Sequence, residues 1–330
     1  MRALGGTNRE AEAGSKLHSP SWRDSPPLLV IVGPTGIGKT SLSLHLAEVF
    51  GGEVVSADSR SFYRGMDVGT AKPTPEERAR VPHQLIDIAD PDDTVGLAEF
   101  QDMAYAAIAE IRARRRLPLL VGGTGQYVHA VVEGWRIPRV EPHPELRDEL
   151  EVRAEEESPD VLHSWLKRLD PEAAEAIHPN NVRRVIRALE VCLITGRPIS
   201  EQQGKEPPPY PVFQIGLTMD REALYERVDA RLMSMVDAGL LEEVRDLLEQ
   251  GYGWRLPAMS AVGYAEFRPY FTGEASLEEV IAEIRANLRR FIRHQYNWFS
   301  LDDPDIRWFD VTRARDEEIE SVVDEWLQRC

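Results

Sequence analysis

Gly33-Pro34-Thr35-Gly36-Ile37-Gly38-Lys39-Thr40 has the residue types that hold a phosphate. Its spacing, G-x-x-x-x-G-K-T, is the P-loop pattern. The glycines let backbone N–H groups turn inward around phosphate oxygens. Lys39 adds a mobile charge, and Thr40 a hydroxyl suited to Mg²⁺. A second group of chemically able residues is Asp58-Ser59-Arg60-Ser61, where Asp58 is placed to ligate Mg²⁺ or to act as a general base. A third is Gly122-Gly123-Thr124-Gly125, a glycine turn from which Thr124 offers a hydroxyl near a helix start. No acidic residue ends the segment before Gly122, which argues against ATP hydrolysis.

Periodicity gives the elements that must position these groups. The apolar run Leu28 to Val32 reads as a buried parallel strand, and Ser41 to Phe50 as an amphipathic helix. Glu53 to Ala57 reads as a second strand that delivers Asp58. Ligands of open α/β sheets sit beyond the carboxyl ends of strands, so Asp58 should share a crevice with Lys39. Further strands are expected at 83–88, 117–121, 212–217 and, at an edge, 306–309. Helices are expected at 97–116, 221–238, 240–250, 276–298 and 316–328. Arg227 and Arg231, four apart, fall on one helix face.

From Pro138 to Pro198 strand signals vanish, and four charged helices are expected at 145–157, 159–169, 171–177 and 181–195. A Pro-rich linker follows over 202–211. The expected fold is α/β, a P-loop NTPase-like parallel sheet flanked by helices, with an all-helical insertion domain. Residues 26–137 and 199–330 form the core domain, 138–198 the insertion, and 1–25 a flexible N-terminal extension.

The 330 residues suffice for two domains, with 29% charged and 42% hydrophobic residues. No apolar run approaches the ~18 residues of a membrane helix. The two cysteines, Cys192 and Cys330, give no metal spacing or disulfide framework, which suits a reducing cytoplasm. A net charge of −17 argues against nucleic acid at face value. Yet basic residues cluster at Arg112-Arg114-Arg115-Arg116, at Arg183-Arg184-Arg187, and at Arg285-Arg289-Arg290-Arg293 with His294. One such cluster is commonly a solvated helix face; three in an acidic chain leave a local binding face open.

Several motifs together resemble the tRNA dimethylallyltransferases (tRNA isopentenyltransferases, the MiaA family). They are G-P-T-x-x-G-K-T at 33–40, S-x-D-S-x-x-x-Y-x-G-M-D-V-G-T-A-K-P at 56–73, P-H-x-L-I-D at 82–87 and G-G-T-G-x-Y at 122–127. H-P-N-N-x-x-R at 178–184, R-A-L-E-V at 187–191, V-G-Y at 262–264 and R-H-Q-x-x-W at 293–298 continue the series. The likeness spans Pro27 to Phe299.

The resemblance implies a P-loop that binds the diphosphate of dimethylallyl diphosphate, with Mg²⁺ on Thr40. It implies transfer of the dimethylallyl group to N6 of adenosine 37, in tRNAs that read codons beginning with U. Asp58 matches the catalytic aspartate, while Thr124 and Arg231 match positions that contact the diphosphate. The tRNA-contact positions of the family fall on Asp58, Ser59, Arg60, Ser61, Thr124, Arg147, Arg183, Arg184, Arg187, Ser260, Gly263, Tyr264 and Gln295. The insertion would grip the anticodon stem, and the enzyme would act as a cytoplasmic monomer.

The sequence departs from the family at Ser260 and Ala265, where a basic residue is frequent. It also departs at His294, Asn297 and Ser300, where Arg, Thr and Arg are usual. Two alternatives share the P-loop: an adenylate isopentenyltransferase and a small-molecule kinase. The insertion and the basic clusters favour tRNA over a free nucleotide.

Overall fold

The computed structural model describes residues 21–330. Strand β1 (Leu28–Val32) is buried at every position, and the loop after it leads into α1 (Lys39–Phe50). Strand β2 (Gly52–Ser56) follows, then α2 (Pro75–Arg80), β3 (His83–Gln84), α3 (Leu97–Ala113) and β4 (Leu117–Val121). Helix α4 (Gly125–Val132) and the short β5 (Trp135–Arg136) lead out of the core. Four helices come next: α5 (Pro144–Glu156), α6 (Pro159–Leu169), α7 (Pro171–Ala176) and α8 (Val182–Thr195). The chain returns through α9 (Ile199–Gln202) and β6 (Gly204–Lys205) to β7 (Val212–Thr218). Then come α10 (Arg221–Asp237), α11 (Leu240–Glu249), α12 (Arg268–Phe271), α13 (Leu277–Trp298), β8 (Ile306–Asp310) and α14 (Asp316–Leu327).

The six-stranded sheet has the order β3-β2-β4-β1-β7-β8 and every pairing is parallel. Alternation along β1 divides the core. Leu29 and Ile31 pack with α1 residues such as Leu42 and Leu46, whereas Leu28, Val30 and Val32 pack with Phe100, Ala104 and Ile108 of α3. Helices on both faces explain the nearly unbroken apolar runs of β1 and β4. The carboxyl ends of β1, β2 and β4 therefore open on one edge. There Gly122 is required by close approach, since a Cβ would lie 2.2 Å from the Ala57 carbonyl oxygen.

Helices α5 to α8 have a separate core built on Leu150, Leu162, Leu166, Val185 and Leu189. Their connection to the sheet domain is a two-stranded antiparallel ribbon that pairs Trp135 with Lys205 and Arg136 with Gly204. This ribbon replaces part of the expected Pro-rich linker.

Three expectations need correction. The strand expected over 83–88 stops at Gln84, because Leu85 (φ 61°) and Asp87 (φ 56°) turn into the left-handed region. Asp87 is held there by Lys72 Nζ and Arg78 Nη1, both at 2.6 Å. The helix expected to reach Arg116 ends at Ala113, with Arg115 at φ 57°. Finally, residues 1–20 of the expected extension lie outside the described residues, but Ser21–Asp24 form a 3-10 turn whose Trp22 is buried in the core.

Candidate active site

Lys39 starts α1, and its ammonium bends back to donate to the carbonyls of Gly33 (3.0 Å) and Pro34 (2.9 Å). Ile37 and Pro34 are buried, so the loop is anchored from below while Thr35, Gly36, Gly38, Lys39 and Thr40 face the crevice. Burial pushes the Lys39 pKa down to about 8; nearby Asp58 opposes this and Arg231 adds to it. Arg231 is likewise lowered by burial, with Asp58 acting in the opposite sense.

Asp58 follows β2 and its Oδ1 accepts the Arg60 N–H at 2.9 Å, an Asx turn that fixes the carboxylate. Thr124 Oγ1 accepts the Ser59 N–H at 3.3 Å, so the turn after β4 is bound directly to the turn after β2. Arg60 extends to the Pro257 carbonyl at 2.8 Å and to Ser260 Oγ at 3.4 Å, closing one wall.

Two clefts meet at these groups. The larger, about 540 Å³, takes in the P-loop, Thr40, Arg227 and Arg231. The second, about 340 Å³, is lined by Arg60, Thr124, Ser260, Phe291, His294 and Trp298. Thr35, Lys39, Asp58 and Thr70 belong to both. A small recess of about 50 Å³ is bounded by the apolar Val228, Leu232, Met235, Val262 and Leu288 and by Thr35, Thr70 and Arg231. The arrangement suits a charged leaving group on one side, an acceptor on the other, and a carboxylate between them.

The donor set also fits Mg²⁺. Among the described residues no three His, Cys, Asp or Glu side chains are grouped to hold a metal alone. Thr40, on the phosphate side of the cleft, would offer Mg²⁺ one hydroxyl, with substrate oxygens and water completing its shell.

A family model described as IPP transferase matches residues 61–302. A tRNA dimethylallyltransferase of Roseiflexus castenholzii is 59% identical over 273 residues, covering 83% of this chain and 89% of the relative. One from Chloroflexus aurantiacus is 57% identical over 82% of this chain and 92% of the relative. Among solved structures, the tRNA isopentenylpyrophosphate transferase of Bacillus halodurans is 42% identical, with a TM-score of 0.69 over 92% of this chain and 97% of that one. A eukaryotic dimethylallyltransferase acting on tRNA superposes with a TM-score of 0.80 at 27% identity, over 92% of this chain and 80% of that one. The chain belongs to the tRNA dimethylallyltransferase family.

Within this member of the family, the residues expected to touch tRNA divide into groups. Asp58, Ser59, Arg60, Thr124 and Ser260 line the second cleft, and Ser61 the first. Arg183 and Arg184 are exposed on α8. Arg147 and Arg187 also lie on the insertion, but both guanidinium groups bind the fully buried carboxylate of Glu190. Tyr264 is corrected outright: it is fully buried and donates its hydroxyl to Glu243 Oε1 at 2.6 Å. Gly263 is buried too, its N–H bound to Glu266 Oε2 at 2.9 Å. Gln295 is buried between two loops.

The Arg112–Arg116 cluster is structural. Arg114 and Arg116 bind Glu53, Arg115 binds Asp24, and Arg112 stacks on Tyr210. It flanks the amino ends of β2 and β4, away from the crevice.

Sequence reasoning missed Glu243 and the roles of Lys72 and Glu190. Buried Lys72 binds both Asp67 and Asp87 and so ties the Gly65–Pro73 loop. Its only signal was its place in the G-T-A-K-P block. Glu243 looks like any surface residue of an amphipathic helix.

Proposed function

We propose that this enzyme transfers the dimethylallyl group from dimethylallyl diphosphate to N6 of adenosine 37 in the tRNA anticodon loop. The observation that carries the reading is the junction of two clefts at Asp58 and Lys39. The diphosphate would lie on Gly33–Thr40, with Thr124 and Arg231 contacting it and the five-carbon tail in the recess at Val228 and Met235. Adenosine would enter by the second cleft, extruded from the loop stack as base-modifying enzymes require.

In the reaction, N6 attacks the allylic carbon as that carbon's bond to the diphosphate oxygen breaks. Asp58 orients the amine and accepts its proton, so a new C–N bond forms and diphosphate leaves with the bond's electron pair. Lys39, Arg231 and the loop amides stabilise charge developing on the leaving group. Mg²⁺ bound through Thr40 would neutralise diphosphate oxygens. No ATP is consumed.

The insertion would hold the anticodon stem, with Arg183 and Arg184 offering exposed charge to phosphates. A local basic face on an acidic body makes binding salt-sensitive. The test is transfer of label from dimethylallyl diphosphate to an anticodon stem-loop, with AMP as competing acceptor. Label on the loop, absent when adenosine 37 is replaced by guanosine, is expected. Label on AMP, or ATP consumption without transfer, would overturn the reading.

A further inference from the structure

We propose that Gln295 is a positioning residue, a clip that holds the phosphate loop and the Gly122–Gly125 turn at a fixed separation. Its Oε1 accepts the Thr35 N–H at 2.8 Å, and its Nε2 donates to the Gly123 carbonyl at 3.0 Å. Gln295 is 4% exposed, although His294 beside it on α13 is exposed. A side-chain amide carries an acceptor and a donor on one planar end, so it can join an N–H to a carbonyl. Glutamate offers only acceptors when ionised, and methionine offers no N–H. The turn makes room for the clip: a Cβ at residue 123 would lie 2.3 Å from Gln295 Nε2.

The clip reaches the chemistry through a continuous chain of bonds. Thr35 belongs to the phosphate loop. Gly123 precedes Thr124, whose hydroxyl receives the Ser59 N–H next to Asp58. Gln295 therefore sets the distance between the leaving-group cradle and the carboxylate. Its bond to the Thr35 N–H also removes that amide from the donors the loop offers a phosphate. On the same helix, Phe291, His294 and Trp298 line the acceptor cleft, so the helix that meets the acceptor also carries the clip. Gln295 also lines that cleft, so the clip stands beside the tRNA-contact role that the resemblance implies for it.

Misplacement of reacting groups by about 1 Å can reduce rate on the order of 100-fold. The kinetic part of the test rests on the transfer reaction proposed above; the exchange part does not. Wild type, Gln295→Met and Gln295→Glu are compared. In ligand-free protein, the Thr35 amide should exchange hydrogen faster in Gln295→Met and stay protected in Gln295→Glu, whose carboxylate still accepts. In transfer assays, Gln295→Met should lose kcat on the order of 100-fold, a larger effect than any change in KM for dimethylallyl diphosphate.

The kcat ratio of Gln295→Glu to wild type should fall as pH rises, since only a protonated carboxyl donates to the Gly123 carbonyl; the ratio for Gln295→Met should stay flat. Ile292→Val, a packing change on the buried face of α13, should keep wild-type kcat. Unchanged Thr35 exchange in Gln295→Met would overturn the clip. Faster exchange with unchanged kcat would overturn its positioning role. Failure of wild type to transfer label would overturn the assigned reaction and leave the exchange result standing.

Discussion

Tyr264 donates its hydroxyl to Glu243 Oε1 at 2.6 Å, and the same carboxylate gathers three backbone amides of the Gly65–Pro73 loop. Oε2 accepts from Asp67 and Val68 at 2.8 and 2.7 Å, and Oε1 from Gly69 at 3.0 Å. One side chain of α11 therefore fixes the loop that carries Thr70 into both clefts. Burial raises the Tyr264 pKa, and the Glu243 charge raises it further, so the phenol remains a donor across the working range.

Tyr264→Phe deletes this charge-assisted bond but leaves the ring packed under Gly69. The expected loss is about 2 kcal/mol of stability, read as a lower urea midpoint with unchanged slope. Glu243→Ala removes the acceptor for all three amides and should also reduce kcat, because Thr70 loses its support. A Glu243→Ala enzyme with wild-type kcat would show that the loop holds its position without the carboxylate.

Asp58→Asn keeps the side-chain shape and an oxygen for the Arg60 amide, but removes the proton acceptor. Transfer should fall between about 100- and 10,000-fold, while binding of dimethylallyl diphosphate, measured by calorimetry without RNA, should persist. Equal loss of both would place Asp58 in substrate binding rather than proton transfer.

Lys39 gives a pH dependence with a defined sign. Burial lowers its pKa from 10.5 to about 8, so the protein without substrate loses this charge as pH rises through about 8. Affinity for dimethylallyl diphosphate should therefore weaken above that pH, and binding at pH 8 to 9 should take up a proton. Folding stability responds in the opposite sense. Between about 8 and 10.5 the unfolded chain holds more protons at this position, so its contribution to folding stability rises with pH. Lys39→Met should abolish both the proton uptake and the pH dependence of affinity.

The parts of this architecture with strong periodicity were legible in the sequence. Strand β1, the phosphate loop and α1 follow one another as a run of apolar residues, a glycine turn and an amphipathic helix. Three of the four insertion helices announce themselves through proline starts at 144, 159 and 171, and the fourth through its charged face. Asp58 and Thr124 could be placed because each ends a recognisable strand. What stayed hidden depends on distant pairs. The clustered arginines at 112–116 look like a binding patch until Glu53 and Asp24 are folded against them. Tyr264 in V-G-Y and Gln295 in R-H-Q-x-x-W carry no mark of burial, since their partners lie in other segments. The strand expected at 83–88 failed for the same reason: its apolar residues promised a pleat, but Lys72 and Arg78 pull Asp87 into a turn.

The insertion should respond to acid through Glu190. Its carboxylate is fully buried, which by itself would raise its pKa, but the Arg147 guanidinium, the His143 amide and Arg187 outweigh burial and hold it at about 2. Arg147 contributes Nε and Nη2 at 2.8 and 2.7 Å, and the His143 N–H donates at 2.8 Å. Arg187 also donates to the Val140 carbonyl at 3.0 Å, so the segment entering the insertion is tied to α8. A folded pKa below the ordinary 4.5 means that the stabilisation is fully present above about 4.5 and is lost as pH falls toward 2. Removing one partner of a buried ion pair costs on the order of 3 kcal/mol, so Glu190→Ala should unfold the insertion first, with the sheet domain melting separately. In Glu190→Gln the acid-induced loss between about 4.5 and 2 should shrink, followed by circular dichroism and by exchange of the α8 amides. An unchanged acid transition in that variant would assign the loss to other carboxylates. Arg147 and Arg187 would then be holding Glu190 without setting the pH response of the insertion.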